Sequence, residues 1–219
     1  METVLDRLKP IVDTTIDRLR DLPFRADPIA GARYSRITSI MSSAYKRHGQ
    51  ILDRALLERL KDCSRFRVWR EDEFKLSHDS LKELRTHQRI EKCLRIELEY
   101  GDRESITPVD ILLFDQVDNS LRSYNVKRGN RSYDGSKRRV IQTNLLRTNM
   151  LLSDYGRKAG FTVANSSARI IFYYGLLSLP KPLALSGDEL DAHFSFPVVE
   201  SIEQVNAYFK KRLRSIVEK

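Results

Sequence analysis

Residues 109–129 read VDILLFDQVDNSLRSYNVKRG, and they form the most informative segment of the chain. Two runs, 109–114 and 121–128, flank a turn-like VDN segment, and their composition predicts two neighbouring strands of one sheet. Asp110 stands at the start of the first strand, and Lys127 stands near the end of the second. Pairing of these strands would bring a carboxylate and an ammonium group side by side.

The segments on either side predict helices around this sheet. Apolar residues recur with a helical period over 1–22, where Pro10 interrupts the pattern, and over 29–61. The run FRVW at 66–69 predicts a short strand. Ser77 is placed to cap a polar helix that extends to about residue 90, and alternation over 94–98 predicts a further strand. Downstream, the patterns predict a helix over 136–158, a buried strand over 168–174 and an amphipathic helix over 198–217.

This order of elements predicts a mixed α/β (α+β) fold, in which a small central mixed β-sheet is flanked by helices. We expect residues 1–45 to form an N-terminal helical extension with a possible role in dimerisation. Residues 46–219 are expected to form the α/β core, including the C-terminal helix.

The composition predicts a protein without a membrane span or a disulfide framework. No run approaches about 18 apolar residues, and the first residues lack the basic-then-apolar pattern of a signal peptide. The two cysteines, Cys63 and Cys93, have no CxxC partners or nearby histidine cluster, so we expect reduced thiols. A cytoplasmic location is the expectation that follows.

The positive charge is concentrated in one part of the chain. The net charge is +9, and residues 122–187 contain twelve lysines and arginines but only two acids, so this segment carries +10 and the remainder −1. Such an asymmetry points to a polyanionic partner. The best phosphate-binding candidates follow the second central strand and are Arg128, Arg131, Lys137, Arg138 and Arg139.

The central pair of strands also carries residues suited to phosphodiester hydrolysis. This reaction needs a metal ion near the phosphate, an activated water and positive charge for the developing oxyanion. Carboxylates suit Mg²⁺, and Mn²⁺ is an expected substitute. Alternation places Asn125 and Lys127 on one strand face, where both can meet the side chain of Asp110.

These residues and the order of elements resemble the PD-(D/E)XK nuclease superfamily. In that family an acid begins one strand, and a second acid, one further residue and a lysine lie on the next. Here Asp110 matches the first position, and Asn125-Val126-Lys127 match the others. A helix and a strand follow, as in the family, and Asp53 matches a further acid that follows a glycine on an upstream helix.

The resemblance implies a restriction-endonuclease-like core and a Mg²⁺-dependent endodeoxyribonuclease of restriction type that cuts double-stranded DNA. It implies catalytic roles for Asp110, Asn125 and Lys127 and metal binding by Asp110 and Asp53. Because cutting both strands commonly requires two sites, a homodimer is expected.

The chain departs from the family pattern at Asn125, which stands where a second acid is usual. Glu97 or Glu99, on the predicted neighbouring strand, could supply the missing carboxylate. Two alternatives to the nuclease therefore stay open: a degenerate nuclease fold that binds DNA without cutting it, and a basic domain that binds an acidic protein.

Overall fold

The strands pair in the order in which they occur along the chain. The computed structural model describes residues 2–87, 89–130 and 132–218. Its sheet contains five strands in these residues: β1 (Phe66–Leu76), β2 (Ser105–Asp115), β3 (Ser120–Lys127), β4 (Asn165–Phe172) and β5 (Ala184–Ser186). The first three form an antiparallel meander, whereas β4 is parallel to β3 and β5 is parallel to β4. The predicted mixed sheet is therefore confirmed.

Helices connect and flank these strands. They are α1 (Val4–Arg20), α2 (Gly31–Lys61), α3 (His78–Thr86), α4 (Ile90–Cys93), α5 (Gly135–Lys158), α6 (Leu190–Phe194) and α7 (Val199–Val217), with 3₁₀ turns at Lys181–Leu183 and Gly187–Glu189. Helix α5 is the crossover that the parallel pair β3 and β4 requires. Within the described residues, no helix has the length and apolar character needed to cross a membrane.

Each face of the sheet packs against its own set of helices. Buried residues of α1, α2 and α7 form one cluster with Ile111, Leu113, Tyr124 and Val126 of the central strands. The opposite face packs against α5, where Leu151 and Leu152 contact the cluster around Phe114 and Leu121. Alternation along β2 and β3 thus sends successive side chains to opposite layers.

The N-terminal helices belong to the same packed unit as the sheet. Helix α2 runs without interruption across residues 45 and 46, where we placed the domain boundary. Its buried residues, among them Ile40 before that point and Leu52 after it, share one core cluster with the central strands. Helix α1 continues through Pro10 as one helix, and its apolar face is buried in the same cluster.

The predicted strand over 94–98 is wrong. Residues 95–99 belong to no helix or strand, and the first strand of the meander is β1, which is longer than the run 66–69 indicated. The alternation has another cause: Leu94, Ile96 and Leu98 pack against the cluster beneath α5, and the amide of Leu98 donates a hydrogen bond to the carbonyl of Met150 (2.8 Å). The alternation therefore arises because one face of this extended segment is buried, although the segment is not part of the described sheet.

Candidate active site

The candidate site begins where β2 and β3 separate. Their ladder ends at the pair Ile111 and Tyr124. Beyond this pair, the carboxylate of Asp110 takes the place of a backbone partner, because its Oδ2 accepts a hydrogen bond from the amide of Val126 (2.8 Å). The other neighbour of β2 is irregular at the same point. Two β2 residues, Asp110 and Ile111, face the single β1 residue Arg70 between regular pairs, which is the arrangement of a β-bulge.

This geometry places Lys127 next to Asp110. The Nζ atom of Lys127 lies 3.7 Å from Oδ2 of Asp110, and the two side chains are 35% and 12% exposed. The predicted juxtaposition of a carboxylate and an ammonium group on paired strands is therefore present. Both side chains face a cleft, so a ligand in that cleft would contact them directly.

Helix α2 brings a second carboxylate to the same cleft. Asp53 is only 5% exposed, and its Oδ1 atom is buried without a hydrogen-bond partner in the described part of the chain. Burial, and then the negative charge of Asp110, raise the pKa of Asp53 to about 6. A buried carboxylate with an unused oxygen and a raised pKa is typical of functional sites.

Arg70 is a site residue that the sequence analysis missed. Its Nη2 atom lies 3.5 Å from Oδ2 of Asp53 and 3.4 Å from Oδ1 of Asp110, and its Nε donates to Asp72 (3.1 Å). The guanidinium group thus sits between the two carboxylates and partly balances their charge. The run FRVW was predicted as a strand only to residue 69, so nothing placed residue 70 beside β2.

The cleft has a volume of about 550 Å³ and is lined by α2, by the end of β3 and by the start of α5. Besides Asp53 and Asp110, its charged lining residues are all basic: Lys46, Arg70, Lys127, Arg128 and Lys137. The cleft can therefore accept an anion next to its two carboxylates.

Aromatic rings hold two of these cations. The guanidinium carbon of Arg128 lies 4.6 Å from the ring centre of Tyr45 and 5.6 Å from that of Tyr174. The Nζ atom of Lys137 lies 4.4 Å from the ring centre of Tyr133. Such cation–π contacts orient the cations without neutralising their charge.

Other predicted residues lie apart from this cleft. The side-chain amide of Asn125 donates to the carbonyl of Pro108 (3.0 Å), and Asn125 lines a smaller cavity of about 160 Å³ between β3 and α5, which shares only Lys127 with the cleft. Arg138 and Arg139 line a further cavity beside α3, and Arg131 lies outside the described residues. Neither Glu97 nor Glu99 lines the cleft; they pair with Arg157 (2.9 Å) and Lys158 (3.2 Å) on the surface.

The donor set fits a hard divalent cation. Asp53 and Asp110 offer carboxylate oxygens, and one of these oxygens is buried and has no hydrogen-bond partner among the described residues. No group of three or more His, Cys, Asp or Glu side chains placed to hold a metal occurs in residues 2–87, 89–130 and 132–218. Mg²⁺ is commonly bound by one or two carboxylates, with water and substrate phosphate completing the shell, so two acids are sufficient for it.

The chain matches no protein-family model, no curated protein and no solved structure.

Proposed function

We propose that this protein is a metal-dependent endodeoxyribonuclease of the PD-(D/E)XK type, which hydrolyses phosphodiester bonds in double-stranded DNA. The carrying observation is the convergence of Asp53, Asp110 and Lys127 on one cleft whose other charged residues are basic. The carboxylates suit a divalent cation, and the surrounding cations suit the phosphate backbone.

Each residue then has a definite task. Asp53 and Asp110 would hold Mg²⁺, or Mn²⁺ in its place, and such an ion polarises a phosphate and lowers the pKa of a bound water. Lys127, 3.7 Å from Asp110, would orient the attacking water or stabilise charge on the phosphate. Arg128 and Lys137 would hold the backbone on either side of the reacting bond.

The order of elements supports the same proposal. An acid on β2, a lysine on β3, the helix α5 and the parallel strand β4 follow one another as the resemblance implies. Asp53 on α2 supplies the upstream acid. Asn125 departs from the pattern in both residue type and position, because its amide is engaged with Pro108 outside the cleft.

A DNA-binding protein without cleavage activity is the second candidate, and Arg70 favours it. A guanidinium group within 3.5 Å of both carboxylates supplies part of the charge that a metal ion would bring. Arg70 is 36% exposed, so it has room to turn away towards a phosphate when an ion binds. Metal-dependent cleavage separates the two candidates.

The decisive test is cleavage of mixed double-stranded DNA with Mg²⁺ or Mn²⁺. We expect wild type to produce discrete fragments, and Asp110→Asn and Lys127→Gln to lower the rate by about 100-fold or more, since each removes a charge at the reacting phosphate. Asparagine at position 110 can still accept the Val126 amide, which keeps the local fold. Glu99→Gln is the matched control, because this side chain is 87% exposed.

Two results would contradict this proposal, the first its activity and the second its site. Absence of cleavage by wild type with every divalent ion, together with salt-sensitive DNA binding, would favour the non-cleaving protein. Cleavage that survives both substitutions would place the reaction elsewhere in the chain.

The proposal also includes a restriction-type role, a cytoplasmic location and a homodimer. The homodimer rests on the two-strand argument alone. Light scattering coupled to size exclusion, in the absence and presence of a DNA duplex, measures it directly. A mass of one chain per duplex would contradict the dimer and would predict nicking of single strands.

A further inference from the structure

A second basic groove adjoins the candidate active site. It lies between α1 and α2 and has a volume of about 350 Å³. We propose that this groove binds the backbone of double-stranded DNA and extends the substrate path away from the cleft. The inference rests on the proposed function for the choice of substrate, although binding is testable without cleavage.

The lining of the groove is suited to phosphate. Its apolar lining residues are Pro10, Ile11 and Ile51, and none of the described residues that line it is acidic. The polar lining residues are three arginines and three uncharged hydrogen-bonding residues: Arg18, Arg47, Arg54, Thr14, Thr15 and Gln50. Arginine, hydroxyl and amide side chains are among the groups that contact nucleic-acid phosphates.

The three arginines keep their charge available. None of Arg18, Arg47 and Arg54 has an acidic partner within 4.0 Å among the residues that the structure describes. Nearby acids of α1 are engaged elsewhere. Asp13 accepts from Tyr208 and Arg212 of α7, and Asp17 pairs with Arg20.

The groove and the cleft share a wall. Gln50 lines both, and Arg54 directly follows Asp53 on α2. Residues 46, 50 and 53 face the cleft, whereas 47, 50, 51 and 54 face the groove, so the two lie on adjacent faces of one helix. A polyanion that leaves the cleft past Gln50 would enter the groove.

The spacing of the arginines fits a nucleic-acid strand. Arg47 and Arg54 are almost two helical turns apart, which is about 10 Å along the axis. This separation of the two backbone positions lets Arg47 and Arg54 contact different phosphates of one strand along the groove. Arg18, from α1, adds a cation on the opposite wall.

No pattern in the sequence indicates this surface. All three arginines lie outside residues 122–187, in the part of the chain whose net charge is −1. The surface forms only because helix packing collects the arginines on one side and turns the acids to another. It gives the N-terminal helices a role in substrate binding.

Binding of DNA in the presence of EDTA tests the inference. The combined variant Arg18→Gln, Arg47→Gln, Arg54→Gln is compared with Lys210→Gln, Lys211→Gln, Arg214→Gln, whose side chains are exposed on α7 and line neither the cleft nor the groove. Both variants lose three positive charges. The readout is fluorescence anisotropy of a labelled duplex of about 30 base pairs over a range of salt concentrations.

We expect the groove variant to bind at least roughly ten-fold more weakly than the α7 variant. Its plot of log affinity against log salt should lose up to about three units of slope, one for each phosphate contact. Equal losses in the two variants would overturn the inference, since net charge alone would then explain them. Displacement of the duplex by a polyglutamate peptide at an equal concentration of charge would overturn the choice of DNA.

The outcomes separate this inference from the proposed function. If the groove variant loses binding and wild type does not cleave DNA, the role of the groove is supported and the nuclease is contradicted. Cleavage by wild type with unchanged binding by the groove variant would keep the nuclease and remove the groove.

Discussion

At the scale of single residues, Asp53 carries a charge that the fold does not favour. Its carboxylate is buried beside Asp110, and its pKa is raised from 3.8 to about 6. A group whose folded pKa lies above its unfolded pKa loses its stabilising protonation as the pH rises through the folded value. In metal-free protein at pH 8, ionised Asp53 therefore destabilises the folded state by up to about 3 kcal/mol.

We predict that Asp53→Asn raises the free energy of unfolding of metal-free protein at pH 8. The amide carries no charge to bury, and the advantage should shrink as the pH is lowered from 8 towards 4, because wild-type Asp53 becomes protonated. Urea unfolding in EDTA at several pH values measures the difference. A variant that is less stable than wild type at pH 8 would show that the ion pair with Arg70 outweighs burial.

The residues that the sequence identified are those whose neighbours are fixed locally. Asp110 and Lys127 meet because two strands joined by a short turn must pair, and alternation fixes their faces. The sequence did not predict Arg70 as a site residue, because its position depends on a bulge between β1 and β2 that no local pattern indicates. Asn125 lies on the same strand as Lys127, but its side chain donates to the carbonyl of Pro108 and does not line the cleft.

At the scale of elements, the end of β3 depends on a close backbone approach at Gly129. This residue has φ +66°, and an added Cβ would lie 2.7 Å from Cβ of Phe172 and 2.9 Å from its backbone. Backbone hydrogen bonds continue past the strand here, from Tyr174 to the carbonyl of Arg128 (2.7 Å) and from Leu176 to that of Gly129 (3.0 Å). The position of Lys127 and Arg128 in the cleft depends on this junction.

We predict that Gly129→Ala destabilises the protein by about 1 to 3 kcal/mol, because the left-handed backbone and the contact with Phe172 both oppose a side chain. Gly135→Ala is the control, since no atom of the residues that the structure describes lies within 4 Å of its added Cβ and alanine favours the start of α5. Chemical denaturation of both variants compares them. Equal stability of the two would contradict the close approach at position 129.

The sequence predicted the long helices more accurately than the short extended segments. Helix α5 and helix α7 begin and end within a residue of their predicted bounds, since a full helical period over many residues specifies one structure. The run 94–98 has the alternation of a strand but packs on α5 without a ladder. Whether a segment pairs with a neighbouring strand depends on the tertiary fold, so a short alternating run does not predict pairing.

At the scale of the whole molecule, the lysines and arginines of residues 122–187 are of two kinds, those with and those without acidic partners. Several of its charges serve the fold: Arg122 pairs with Asp115 and Asp118, Arg147 is buried against Glu104, and Arg157, Lys158 and Lys181 each pair with glutamates. Arg128, Lys137, Arg138 and Arg139 have no such partner within 4.0 Å in the described residues. Fewer cations are therefore available to a polyanion than the net charge of residues 122–187 indicates.

This division predicts that position, and not net charge, decides the salt dependence of DNA binding. We expect the combined variant Lys137→Gln, Arg138→Gln, Arg139→Gln to lower the slope of log affinity against log salt by up to about three, one unit for each lost phosphate contact. The variant Arg157→Gln, Lys158→Gln, Lys181→Gln removes the same charge from side chains that already have acidic partners. Its slope should stay close to that of wild type in metal-free anisotropy titrations. If the two triple variants lose equal slope, DNA responds to the overall charge, and the cluster at the start of α5 is not a binding surface.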